Sequence, residues 1–108
     1  MKILLVCAMG ASTGVMVNKM KAAAEADPTI DNSNMEIEAI SADNFKDKYR
    51  NYDVVLLGPQ IRFKEKEFRR MCDEVNIPLE IIPISDYGMM KGDNVLKLAI
   101  NKFNENNK

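Results

Sequence analysis

The chain has 108 residues with 15 basic and 16 acidic side chains, a net charge of −1. That length holds one core and not two, and that balance gives no reason to expect nucleic acid or an anionic membrane as the main partner. There is no histidine, which removes the commonest general base, the commonest metal ligand and any phosphohistidine on this chain.

Taken in order, Ile3 to Val6 is an unbroken apolar run, which reads as a strand buried on both faces. Cys7 follows where such a strand leaves the sheet. Then come Ala8, Met9, Gly10, Ala11, Ser12 and Thr13, small or hydroxylated except for Met9, and a helical pattern begins around Ala11 to Gly14. A strand-to-helix turn this short leaves the first N–H groups of the helix without partners, and with the positive end of the helix dipole they favour an anion. A thiol among those amides is favoured as thiolate, and the same amides could hold a phosphoryl group on its sulfur. The expected site is therefore Cys7 as nucleophile, with Ala8, Met9, Gly10, Ala11, Ser12 and Thr13 as the phosphate-binding loop. Free cysteines are more often small buried hydrophobes, but the strand end before a Gly/Ser/Thr turn argues for the nucleophile. Ser12 and Thr13 serve equally as helix caps, a role compatible with phosphate contact. Gly10 either takes a positive φ or makes room for the phosphoryl group, and the sequence leaves both open.

Leu4-Leu5-Val6-Cys7 has the look of a lipoprotein signal, yet only six residues precede the cysteine and Val6 stands where a small residue is needed. No stretch approaches the ~18 apolar residues of a membrane span. A cytoplasmic protein without direct membrane insertion is expected. Cys7 and Cys72 lack metal-ligand spacing, so they read as cytosolic thiols, and neither a metal nor a cofactor is expected.

Beyond the turn, Val17, Met20 and Ala24 recur at helical spacing up to Asp27-Pro28. Thr29 to Asn34 is polar and turn-like. Met35 to Ile40 alternates, with Glu36 and Glu38 on one face, and predicts a half-exposed strand. Ser41 to Arg50 predicts a weak helix or loop, with Ser41 as cap and Phe45 and Tyr49 as its apolar side. Val54 to Leu57 is a second wholly apolar strand, ending in the turn Gly58-Pro59-Gln60. From Ile61 a helix is expected with Ile61, Phe68, Met71, Cys72 and Val75 on its buried face and the charges from Lys64 to Arg70 in water. Leu79 to Ile82 is a fourth strand, Glu80 suggesting an edge. Pro83 to Gly92 reads as a long connection. Leu96, Ala99, Ile100 and Phe103 line a last helix that frays into Asn104 to Lys108.

Alternating strands and helices with short connections imply an α/β fold, a parallel sheet covered on both faces. The apolar strands one and three belong in the middle and the glutamate-bearing strands two and four at the edges. A single domain over residues 1–108 with strand order 2-1-3-4 follows, with its switch point between strands one and three, where ligands bind beyond the carboxyl ends. The Cys7 turn and the Gly58-Pro59-Gln60 turn would flank that crevice, within reach of the Tyr87-Gly88 loop.

The opening Cys7 to Thr13, the segment Val54-Val-Leu-Leu-Gly-Pro-Gln60, and Tyr87-Gly88 ahead of the last helix together resemble the IIB components of the lactose/cellobiose/chitobiose branch of the bacterial sugar phosphotransferase system. The resemblance runs nearly end to end. It implies a phosphotransferase whose cysteine, here Cys7, takes a phosphoryl group from a histidine of a IIA component. The cysteine then passes it to a sugar bound in a membrane-embedded IIC permease. Gln60 and Tyr87 match positions near the loop in that family, and no catalytic role is read for them from the resemblance. Three other readings compete. A low-molecular-weight tyrosine phosphatase would carry Cys–x5–Arg, but Thr13 stands at the arginine position, and without that cation transfer is favoured over hydrolysis. A flavodoxin-like FMN carrier is opposed by the short chain and the lack of tryptophan. A binding module without chemistry would not need Cys7. Met89-Met90 fits either the core or an adaptable docking surface.

Overall fold

The computed structural model describes residues 1–8 and 11–107, and of residues 11–13 the backbone alone. Four strands form one parallel sheet: β1 (Lys2–Cys7), β2 (Glu36–Ser41), β3 (Val54–Leu57) and β4 (Leu79–Ile81), in the order β2-β1-β3-β4. The sequence expectation of order and fold class holds. Side chains alternate across a strand, and the sheet uses both faces. Ile3, Leu5, Val54 and Leu56 point to one side, under Met16, Met20 and Ala24 of α1 (Ala11–Ala26) and Val95, Leu96 and Ala99 of α5 (Gly92–Asn106). Leu4, Val6, Val55 and Leu57 point to the other, under Phe45 and Tyr49 of the segment 42–51 and Phe68 and Cys72 of α3 (Glu65–Glu74). Residues 3–6 and 54–57 are each no more than 1% exposed, and each such side chain stabilises the fold by ~1.5–3 kcal/mol.

Two contacts set how closely the helices sit. Phe45 stacks on Tyr49 and Phe68, with centroids 4.8 and 3.9 Å away, which fixes α2 (Phe45–Lys48) on the sheet. On the opposite face, Gly92 meets α1 so closely that a Cβ there would stand 2.5 Å from the carbonyl carbon and the Cβ of Lys19. No backbone can yield that much, so only glycine permits this approach of α5 to α1.

The edges are closed by side chains, as exposed strands require. On β4, Arg69 donates to the Leu79 carbonyl at 3.0 Å and pairs with Glu65 at 2.6 Å, while Lys102 pairs with Glu80 at 3.2 Å. On the other edge Tyr52 donates its hydroxyl hydrogen to Glu38. Burial first, then that bond, push the Tyr52 hydroxyl up to about 12.

Several expectations need correction. The helix placed from Ile61 starts at Glu65. Residues Pro59–Lys64 form a tight 3-10 stretch kinked at Ile61, although Ile61 itself is buried as expected. Val75 is 38% exposed and leaves the apolar face, because α3 stops at Glu74 and Asn76 takes a φ of 58°. The connection from Pro83 to Gly92 contains a short helix, α4 (Ile84–Gly88), and α5 continues to Asn106 where fraying was expected at Asn104. Ser41 precedes the 3-10 turn Ala42–Asn44 but makes no capping bond to its backbone.

Candidate functional site

The site assembles at the carboxyl ends of the two central strands. Cys7 is the last residue of β1, registered beside Ser41 at the end of β2, and it lies one residue beyond the last β1–β3 pair, Val6 with Leu57. On one flank β1 meets β2 and on the other β3, so Cys7 stands at the point where the chain's course through the sheet reverses. Its residue is 3% exposed, whereas Ala8 beyond it is exposed.

Of the expected phosphate loop, Met9 and Gly10 lie outside the described residues, as do the side chains of Ala11, Ser12 and Thr13. The backbone of residues 11–13 opens α1, so a helix sixteen residues long begins four positions after the thiol. Its positive end is therefore directed at the end of β1.

On the β3 side, the chain leaves the strand through Gly58, whose N–H donates to the Val6 carbonyl at 2.8 Å; the Gly58 carbonyl then accepts from Ile61 N–H at 3.1 Å. These two bonds, with Pro59 locking the next φ, hold the turn against the end of β1. A Cβ on Gly58 would meet Gln60 Oε1 at 2.9 Å, the Val6 carbonyl oxygen at 3.4 Å and Cys7 Cβ at 3.7 Å. Gly58 thus lies against the end of β1, with the Gln60 amide over it. The strand order read from the sequence sets the Gly58-Pro59-Gln60 turn beside the crevice at the switch point, as found, although Gly58-Pro59 alone reads equally as a plain turn.

Beyond β4, Tyr87 is buried and packs with Ile3, Leu5 and the α1–α5 side chains. The Asp86 carboxylate accepts from Asn94 Nδ2 at 3.1 Å. Met89 and Met90 divide: Met89 is 68% exposed, while Met90, at a φ of 50°, packs against the core. Phe63 and Ile84 are also exposed, at 75% and 64%. All three exposed side chains follow the carboxyl ends of β3 or β4.

Cys72 lies elsewhere. It is fully buried on α3 among Phe68, Ile77 and Leu79, and burial pushes its thiol up to about 12, so it stays protonated. Cys7 and Cys72 are not joined in a disulfide. Two clefts of about 260 and 310 Å³, the first lined by Arg69, Pro78 and Lys102 and the second by Tyr52, Asn76 and Ile77, open toward the amino ends of the strands. Neither contains a cysteine. No helix among the described residues is long and apolar enough to cross a membrane.

Known proteins match this arrangement. Residues 2–98 fit the model of the family described as PTS system, lactose/cellobiose-specific IIB subunit. The chain is 37% identical over 99 residues to the oligo-β-mannoside-specific EIIB component of Bacillus subtilis (strain 168), covering 92% of each chain. It is 40% identical over 106 residues to the galactose-specific EIIB component of Lactococcus lactis subsp. cremoris, covering 94% of this chain and 95% of that one. Among solved structures, the cellobiose-specific IIB component of Borrelia burgdorferi superposes with a TM-score of 0.78 at 42% identity, covering 98% of this chain and 94% of that one. The lactose-specific IIB domain of Streptococcus pneumoniae shares the fold, with a TM-score of 0.81 at 16% identity over 94% of this chain and 96% of that one. With its central-strand cysteine ahead of a helix and a family match across most of its length, the chain belongs to the lactose/cellobiose-specific IIB subunits of the phosphotransferase system, the phosphotransferases of sugar uptake.

Proposed function

We propose that Cys7 is the phosphorylated residue, taking its phosphoryl group from a phosphohistidine of a IIA partner and passing it to a sugar bound by a IIC membrane permease. The observation that carries this reading is the place of Cys7 at the end of β1, at the switch point and just ahead of α1. In the first step the donor's P–N bond breaks as a P–S bond forms to Sγ; the electron pair stays on the imidazole nitrogen, which takes up the thiol's proton. In the second step a sugar hydroxyl oxygen attacks phosphorus and the thiol is restored. Ala8 to Thr13 form the loop for the phosphoryl oxygens, which backbone amides at a helix start are suited to hold. The exposed Phe63, Ile84 and Met89 beyond the ends of β3 and β4 provide apolar area for a docking partner on the same side. The reaction belongs in the cytoplasm, on the whole chain as one carrier domain.

The sugar is a β-linked disaccharide such as cellobiose, chitobiose or lactose. The cellobiose- and oligo-β-mannoside-specific relatives support that class, while the galactose-specific relative shows that the family's range is wider.

A carrier must keep its phosphocysteine until the acceptor arrives. Little of Cys7 faces water, Thr13 replaces the cation that hydrolysis would use, and Asp86 is tied to Asn94. Phosphorylated protein should therefore release phosphate slowly alone and quickly when membranes carrying the permease and its sugar are added. Rapid turnover of an aryl phosphate by the purified protein, abolished in Cys7→Ser, would make it a phosphatase instead.

A further inference from the structure

The geometry points to Gln60 as a catalytic residue: its side-chain amide donates a hydrogen bond to the phosphoryl group as it moves onto Cys7, and Gly58 is glycine to leave room for that amide. The inference rests on the reading of Cys7 as the phosphorylated residue.

Gly58 has φ −62° and ψ 147°, a conformation open to any residue and usual before proline. Its backbone does not need glycine. The contacts of its missing side chain explain the choice. A Cβ at this position would touch the Val6 carbonyl oxygen and Cys7 Cβ at ordinary distances, 3.4 and 3.7 Å, but would stand 2.9 Å from Gln60 Oε1. The space that a side chain would fill is taken by the Gln60 amide.

Gln60 is itself exposed and makes no hydrogen bond among the described residues. Its side chain folds back over Gly58 toward the end of β1 although nothing in the core holds it there. The turn beneath is rigid, closed by Gly58 N–H on Val6 and by Ile61 N–H on Gly58, with Pro59 between. The point a Gly58 Cβ would occupy, 2.9 Å from Gln60 Oε1 and 3.7 Å from Cys7 Cβ, lies between the two residues, on the flank opposite Ser41, whose residue pairs with Cys7 across β1 and β2. A half-turn of the terminal torsion presents Nε2 with its two N–H groups in the same place.

A neutral amide is suited to this step. It stabilises the spread negative charge of the moving group by hydrogen bonding, as preorganised donors do. It brings no acid, base or cation that would prepare water to attack the phosphocysteine. Gln60 therefore speeds formation of the P–S bond and, by reversibility, return of the phosphoryl group to the donor imidazole.

The test is single-turnover transfer to the full chain from a cellobiose-type IIA protein phosphorylated on histidine, followed by intact mass while donor concentration is varied. Gln60→Ala and the shape-conserving Gln60→Met should each lower the maximal rate by about tenfold, with the half-saturating donor concentration unchanged. Gly58→Ala should do the same by displacing the amide. Gln60→Glu should be slower still at neutral pH and recover on acidification as the carboxylate is protonated. Wild-type rates in Gln60→Ala and Gln60→Met, or a change in half-saturation alone, would overturn the proposal while leaving Cys7 as the carrier. A wild-type chain that gains no phosphoryl group, with the same donor loading a related IIB component, would defeat the reading of Cys7 and this inference with it.

Discussion

Cys7 and Cys72 are both buried, at 3% and 0% exposure, so burial does not separate the two thiols. Position does. Cys72 faces the sheet from the last turn of α3, where the neighbours are Phe68, Ile77 and Leu79 and burial holds the proton on sulfur. Cys7 ends a central strand, with Gly58 on one side, Ser41 on the other and a long helix starting four residues on. The first environment resists charge from all sides; the second lies against the turn after β3, four residues ahead of α1. A fold of this kind therefore sets its two cysteines in different surroundings, one a packing group on α3 and the other, proposed here as the carrier, at the end of a central strand.

The largest expected effect comes from moving the helix that distinguishes the Cys7 end. In Gly92→Ala the new Cβ is forced into the Lys19 backbone, and α1 must shift with its amino end. The cost is about 2–3 kcal/mol of stability, together with slower phosphoryl transfer at temperatures where the variant is fully folded. Ala99→Gly loosens the same helix pair without a wedge, and should lower the melting temperature while leaving transfer alone. Equal transfer rates in the two variants would show that α1's position does not matter to Cys7.

Exchanging each cysteine for serine sharpens the contrast next. Cys72→Ser sets a hydroxyl in an apolar enclosure and should cost about 1–3 kcal/mol, with transfer intact. A stable Cys72→Ser that no longer accepts phosphate would contradict the division of roles.

A third effect is alkaline. The Cys72 thiol is raised from 9.0 to about 12 and the Tyr52 hydroxyl from 10.0 to about 12. Above the lower values the unfolded chain sheds these protons while the folded chain keeps them, so the folded state binds more protons and loses stability as pH rises. The contribution is whole below pH 9 for Cys72 and below pH 10 for Tyr52, and is lost as pH rises towards about 12. Urea unfolding against pH should show this slope, and Tyr52→Phe should flatten the part above pH 10. An unchanged slope in that variant would remove Tyr52 from the account.

Smallest of all is the charged rim of β4. Lys102 pairs with Glu80 and Glu105 in a half-exposed setting, and Lys102→Ala should cost less than about 1 kcal/mol, and less again in high salt.

The strand order is legible in sequence because glutamates mark the edges: Glu36 and Glu38 on β2 and Glu80 on β4, against the apolar β1 and β3 between them. The helices are less legible where local geometry overrides period. Ile61 is buried like a helix residue, but it is carried there by a proline-led 3-10 turn with its own φ at −116°. A five-residue helix such as α4 has too few turns to show a pattern. Residues 104–106 extend α5 with only exposed side chains, so no apolar spacing announces them. At the site, Cys7 stands out as a thiol at the end of an apolar run. Gly58 is set near Cys7 by the strand order, but its close contact with Val6 and Cys7, 52 and 51 positions earlier in the chain, leaves no trace in spacing along the sequence.

The most direct test of the central claim is the intact mass of the protein after incubation with a histidine-phosphorylated IIA protein, on the wild type, Cys7→Ser and Cys72→Ser. One phosphoryl group should appear on the wild type and on Cys72→Ser, and none on Cys7→Ser. A phosphoryl group retained in Cys7→Ser would contradict the account.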